Sequence, residues 1–398
     1  MTSKRFQFAR RTDWPLSTND LISTLEDLRG KNLAICDLTE SNPTRCGFKY
    51  PADKILNVLS EEKNLDYNPN PKGILEAREG ISRYYKTKGF YVPADRIILT
   101  AGTSEAYSYL FRLLANPGQE VLFPRPSYPL FEFLVDLNDV DMQWYPLEYH
   151  DGWTMNLEKL KSSVHSDTKA VVLVNPNNPT GSFTKRHELD ALNEVCLKNS
   201  SAIISDEVFW DFAFYHDENF VSLAENKKVL TFVLGGISKT LGLPQMKLSW
   251  IVVSGPDELV EQAIHKLELI SDTYLSVNTP TQNSLIRWLL LKDQIQKELK
   301  DRISRNYNNL KRMVQDSNRC KLLNTEGGWY AIVFLPDYQS EDKWVSEFLT
   351  QDYVFVHPGY FFDMEDEPSI VISLLPPEEN FKAGVKKLFD RVEAHRSF

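Results

Sequence analysis

Between residues 96 and 270 the chain alternates short runs of β-branched and aliphatic residues with longer amphipathic stretches. The runs predict strands at 96–100, 120–123, 170–174, 202–205, 231–234 and 249–253. The stretches between them predict helices, among them 104–114, 185–198 and 257–270. Within each run the apolar residues are continuous rather than alternating with polar ones, which requires a sheet covered by helices on both faces. An α/β layer fold is therefore expected.

The chain has 398 residues, too many for one ordinary core, so two domains are expected. The C-terminal part reads differently from the middle. A long helical region, with room for a break, spans 277–315, followed by strand-like stretches at 327–334, 353–357 and 370–374 and an amphipathic helix at 381–393. This suits a smaller α+β domain, against which the N-terminal segment is expected to pack. The division expected is a large domain at 53–284 and a small one assembled from 1–52 and 285–398.

Bulk properties exclude several functions. Hydrophobic residues make up 42% and charged residues 25%, as in an ordinary water-soluble globular protein. A formal charge of −10 argues against a nucleic-acid partner. Cys36, Cys46, Cys196 and Cys320 are scattered without a Cys-x-x-Cys pair, so neither a zinc site nor a disulfide framework is expected, and a reducing cytoplasm fits. The basic N-terminus lacks the apolar stretch of a secretory signal. No apolar run approaches the roughly 20 residues of a membrane helix.

The chemistry centres on Lys239, in Gly-Gly-Ile-Ser-Lys-Thr-Leu-Gly-Leu-Pro (235–244), directly after the apolar run 230–234. Alone, it reads first as a surface lysine after a strand. Upstream stand five further motifs: Asp-Tyr-Asn-Pro-Asn-Pro-Lys-Gly (66–73), Thr-Ala-Gly-Thr-Ser-Glu-Ala (100–106), Arg-Pro-Ser-Tyr-Pro (125–129), Asn-Pro-Asn-Asn-Pro-Thr-Gly (175–181) and Ile-Ile-Ser-Asp-Glu-Val-Phe (203–209). Each has a plain alternative. Asp206 can cap a helix, and Asn178 can belong to a simple turn. Thr103 can cap an ordinary helix, and Tyr128 can be a loop aromatic. In their order and spacing, however, these segments resemble the class I/II aminotransferases, pyridoxal-phosphate (PLP) enzymes of fold type I, over nearly the whole chain.

The resemblance implies a large domain with a mostly parallel sheet sandwiched by helices, plus a smaller α+β domain. It makes Lys239 the Schiff-base lysine and general base, and 53–284 the PLP-binding domain. Asp206 would keep the pyridine nitrogen protonated, and Asn178 would bond the phenolic oxygen. Tyr128 would stack on the ring. Gly102, Thr103 and Ser104, at a helix start, would hold the phosphate with Lys247. Tyr67 matches a tyrosine lent to the neighbouring subunit's phosphate, which implies a homodimer with shared active sites.

Four departures accompany the match. Phe209 stands where relatives carry a tyrosine that donates to the phenolic oxygen, and losing a donor to a phenolate is expected to raise the Schiff-base pKa. Lys247 replaces an arginine, keeping the charge but not the bidentate fork. Gly236 stands in the place of a phosphate-binding serine. Most consequentially, Val371, in Ser-Ile-Val-Ile-Ser (369–373), takes the place of the arginine that grips the substrate's α-carboxylate. Arg45, in Ser-Asn-Pro-Thr-Arg-Cys-Gly-Phe (41–48), is the replacement candidate, and a solvated loop arginine is the alternative. Residues 271–274 (Ser-Asp-Thr-Tyr) offer no arginine for a second carboxylate. Tyr330 and Tyr360, in aromatic segments, are candidates to line the substrate mouth, and would favour an apolar or aromatic substrate. They can equally be core of the small domain.

The expected activity is transfer of an amino group from an amino acid to a 2-oxo acid. The alternatives are a same-fold PLP enzyme of another reaction type (C–S lyase, decarboxylase or cyclase) and a non-catalytic binding module.

Overall fold

The computed structural model describes residues 6–15, 19–317, 319–364 and 367–395. Its centre is an eight-stranded sheet in the order Ile97–Thr100, Ser249–Ser254, Thr231–Gly236, Ala202–Asp206, Thr168–Val174, Glu120–Arg125, Asp141–Tyr149, Trp153–Met155. Five neighbouring strands, from Thr231–Gly236 to Asp141–Tyr149, run parallel. Ser249–Ser254 is antiparallel to both of its neighbours, so Ile97–Thr100 points the same way as the parallel set.

Side-chain alternation splits the strands between two cores. Val171, Ile203, Val233 and Val252 face one side, where they meet the helices Leu75–Lys86 and Arg186–Asn199. Val172, Ile204, Leu234 and Ile251 face the other, against Thr103–Leu114 and Asp257–Asp272. Each such side chain taken fully from water contributes on the order of 2 kcal/mol, so both faces of the sheet drive its assembly.

All six predicted strands and all three predicted helices are present, with ends shifted by up to two residues. The hairpin Asp141–Tyr149 and Trp153–Met155 gave no comparable signal. Its first strand is partly exposed at the sheet margin and carries Asp141, Gln143, Glu148 and Pro146, residues a central strand would exclude. The helical region expected at 277–315 is two helices, Thr279–Leu289 and Lys292–Ser317.

A second, four-stranded antiparallel sheet follows, in the order Lys321–Leu322, Tyr330–Phe334, Ser369–Ser373, His357–Pro358. The N-terminal segment joins it: Cys36–Asp37 pairs in parallel with Val354–Phe355, and the Ser373 amide donates to the Leu38 carbonyl at 2.8 Å. The helix Lys292–Ser317 links the two sheets. Its Gln296 amide donates to the Thr240 carbonyl at 2.9 Å, one residue from Lys239, and its Asn306 amide donates to the carbonyls of Leu374 and Pro376.

Candidate active site

Parallel strands end on one edge of a sheet, and loops leaving that edge converge. Asp206 and Gly236 are the last residues of adjacent strands, and Thr100 ends a strand of the same direction. The short helix Ile237–Thr240 turns Lys239 over that edge. Asn178 follows the strand Thr168–Val174, whose Val174 pairs with Asp206.

The Lys239 amine lies 4.9 Å from the Trp329 ring centre and 5.2 Å from that of Phe209. Burial pulls its pKa down to about 8, against the opposing pull of the Asp206 charge. Burial pushes Asp206 up to about 6, although the Val208 amide and the Tyr107 hydroxyl both donate to it at 3.2 Å. Desolvation thus outweighs attraction for both partners, leaving a depressed amine beside a raised carboxyl. Asp206 accepts the amide two residues ahead instead of capping a helix of several turns; only the single turn Trp210–Phe212 follows.

The helix Thr103–Leu114 begins on Gly102 with no side-chain cap, so no side chain takes its leading amides. Glu105 turns back to the Ala101 amide at 2.7 Å. The Lys247 amine lies 3.5 Å from where a Cβ on Gly102 would sit, which sets a cation against the open helix start. Together these form an anion cup.

Several polar groups at this edge lack partners among the described residues. Asn178 is 8% exposed, and its amide oxygen accepts no hydrogen bond from any of them. The Asn177 amide nitrogen and the Trp329 indole nitrogen are likewise buried and unmatched. A buried polar group without a partner costs about 1–3 kcal/mol, so such a cluster fits a site completed by a ligand. An amine, an opposed carboxyl, an anion cup and an unmatched amide are the four contacts a phosphorylated pyridine aldehyde requires, and the residues present fit PLP.

On the substrate side the arrangement is less complete. Burial pushes the Tyr330 hydroxyl up to about 12; it is hydrogen-bonded to Ser41 and feels Tyr128 and Glu40 nearby. Tyr128 is itself raised, first by burial and then by the Asp206 charge, so Tyr330, Tyr128 and Asp206 share one region. Val371 is fully buried in an apolar cluster with Trp153, Leu323, Ile332, Phe362 and Met364. Arg45 ends a single turn, Pro43–Arg45, on the loop that carries Ser41. Its side chain is exposed and makes no hydrogen bond or ion pair with the described residues. Tyr360 is not gathered with the others: its hydroxyl meets Asn19 and Asp342, and its amide donates to Glu341 at 3.0 Å. Tyr67 is 76% exposed, in a cleft with Leu99, Tyr109 and Ser276.

Two residues close to the chemistry carried no singular sequence signal. Tyr107, in mid-helix, reads as core until its hydroxyl is seen on Asp206. Trp329 reads as one aromatic among many, yet it packs at 5.3 Å against Phe209 and covers Lys239.

Comparison with known proteins agrees with this geometry. The family described as "Aminotransferase class I and II" matches residues 34–388. Glutamate-pyruvate aminotransferase AlaA of Haemophilus influenzae is 29% identical over 256 residues, which cover 63% of this chain and 62% of that protein. AlaA of Escherichia coli K12 is 25% identical over 361 residues, covering 89% of each. Among solved structures, an alanine aminotransferase from Pyrococcus furiosus superposes with a TM-score of 0.88 at 20% identity, over 98% of this chain and 100% of that one. The chain belongs to the class I and II aminotransferases.

Proposed function

We propose that the protein is a PLP-dependent aminotransferase that moves an amino group from an apolar or aromatic amino acid to a 2-oxo acid. The observation that carries this reading is the Lys239–Asp206 pair at one sheet edge, with an uncapped helix start and a lysine alongside. Bound there, PLP would supply the electron sink that makes an amino acid's α-proton acidic.

The protein's own residues do the rest. With a pKa near 8, the Lys239 amine is neutral often enough near pH 7 to form a covalent bond and then hold and return the α-proton. Asp206 holds a proton on the ring nitrogen, supported by Tyr107. Tyr128 offers a flat face, and Asn178 offers its unmatched amide. The amides at Gly102, Thr103 and Ser104 and the Lys247 charge take the phosphate. Trp329 and Tyr330 exclude water above the amine. Residues 53–284 then act as the cofactor domain, with 1–52 and 285–398 as its cover. Tyr67, exposed at the surface and so free to reach a second subunit, supports a homodimer with shared sites. Arg45, without an ion pair among the described residues and on the loop whose Ser41 meets Tyr330, is the proposed carboxylate anchor, and the surrounding rings favour an apolar or aromatic side chain. Tyr360 keeps only a peripheral role at the mouth.

The test is to load the protein with PLP and challenge it with single amino acids while recording absorbance. Conversion to the pyridoxamine-phosphate spectrum by an apolar or aromatic amino acid, and reversal by a 2-oxo acid, is expected. If PLP binds and no amino acid converts it, the transaminase reading fails, and the lyase, decarboxylase or cyclase alternatives replace it.

A further inference from the structure

The residue opposite Gly236 has no assigned role. Ser249 begins the strand Ser249–Ser254 and pairs with Gly236 on one side and Thr100 on the other. Directly opposed residues project from the same face of a sheet. Ile251, two residues on, belongs to the core beneath the helix Thr103–Leu114, so the Ser249 hydroxyl is on the face where that helix starts. Lys247, two residues before it, brings its amine to Gly102 at the same helix start. Ser249 is 2% exposed, and its hydroxyl makes no hydrogen bond with the described residues. A Cβ built on Gly236 would collide with that hydroxyl. The space in front of position 236 is therefore filled from across the ladder, and the glycine is what allows it.

We propose that Ser249 is a phosphate-binding residue of the cofactor site, its hydroxyl donating to the anion held by the start of the helix Thr103–Leu114 and by Lys247. The inference rests on the PLP reading above and deepens it. It also explains Gly236: a side chain at 236 and the Ser249 hydroxyl exclude one another, so one hydroxyl serves the cup and it comes from the neighbouring strand. A buried hydroxyl otherwise finds a partner in most folded proteins, and an oxyanion at this edge provides one.

The experiment measures dissociation constants of PLP and of pyridoxal, which lacks the phosphate, for apo protein by absorbance titration. Ser249→Ala is expected to weaken PLP by on the order of tenfold to a hundredfold, the loss of one hydrogen bond to a charged group, and to leave pyridoxal unchanged. Unchanged pyridoxal binding also certifies that the variant is folded. The double variant Gly236→Ser with Ser249→Gly, which returns the hydroxyl from the other strand, is expected to recover most of the PLP affinity. A Ser249→Ala protein within about twofold of wild type for PLP, or one weakened equally toward pyridoxal, overturns the inference while leaving the PLP reading intact. A wild-type protein that binds no PLP overturns both.

Discussion

The edge of the large sheet and the face of the small sheet divide the site between them, and they treat polarity in opposite ways. At the large sheet's edge, Asp206, Asn178, Lys239 and Ser249 are held where desolvation is costly and protein partners are incomplete. On the small sheet, position 371 is sealed among aromatic and aliphatic side chains, and Tyr330 is tied to Ser41. One half is organised for a ligand that supplies the missing contacts. The other is organised as core, with Val371 sealed among apolar side chains. The lesson is that these two halves can diverge independently, because they stand on different sheets, even though the sheets meet directly at contacts such as Phe209 on Trp329.

Four experiments break or sharpen that contrast. The largest effect belongs to Lys239→Ala. Loss of the borohydride-reducible bond to PLP is expected, together with a fall in kcat of about 10⁴-fold. A retained reducible adduct would move the chemistry to another lysine.

Val371→Arg tests the other half. If position 371 is core, an arginine there does not restore a carboxylate anchor. It buries an unpaired charge, at a cost of roughly 3–5 kcal/mol in unfolding free energy. Denaturant melts read this directly; a variant as stable as wild type with a lowered KM for amino acids would instead mean that the position opens onto the substrate.

Arg45→Ala is expected to lower kcat/KM for carboxylate substrates by about a hundredfold, a charged hydrogen-bonded contact removed, while PLP affinity stays the same. Unaltered kinetics would dismiss Arg45 as the anchor.

The gentlest probe is pH. A Lys239 pKa near 8 leaves about one amine in ten neutral at pH 7, against about one in 2,500 for an ordinary lysine. The rate of covalent capture of PLP by apo protein should climb with pH and level off above about 8. The linked stability has a definite sign. The folded state binds that proton less tightly than the unfolded chain, so the Lys239 contribution rises as pH increases from about 8 toward the ordinary lysine value, and the burial penalty is fully present below 8. Asp206 acts in the opposite sense: its raised pKa means that its contribution falls as pH rises from the ordinary carboxyl range through about 6. A capture rate that keeps rising to pH 10 would contradict the depressed amine.

The sequence by itself determined the layered core and the chemical inventory. Continuous apolar strands such as 202–205 have only one stable environment, between two layers of helices, and this made the central sheet legible. The motif residues Lys239, Asp206 and Asn178 were legible through the order and spacing of their segments, which resemble the class I/II aminotransferases; taken singly, each had a plain structural alternative. The hairpin from Asp141 was not, because strands at a sheet's margin, partly exposed, mix polar and apolar residues as loops do. The separate fates of Tyr330 and Tyr360 were equally hidden: both lie in aromatic segments, and composition does not say which hydroxyl turns toward Ser41 and which toward Asn19 and Asp342. Only the tertiary structure decided that Tyr107 supports Asp206, that Trp329 covers Lys239 and that Ser249 fills the space before Gly236. These pairs are 99, 90 and 13 residues apart along the chain. What joins them is strand order and register, and those are settled by how the whole set of apolar faces packs, not by any local run of residues.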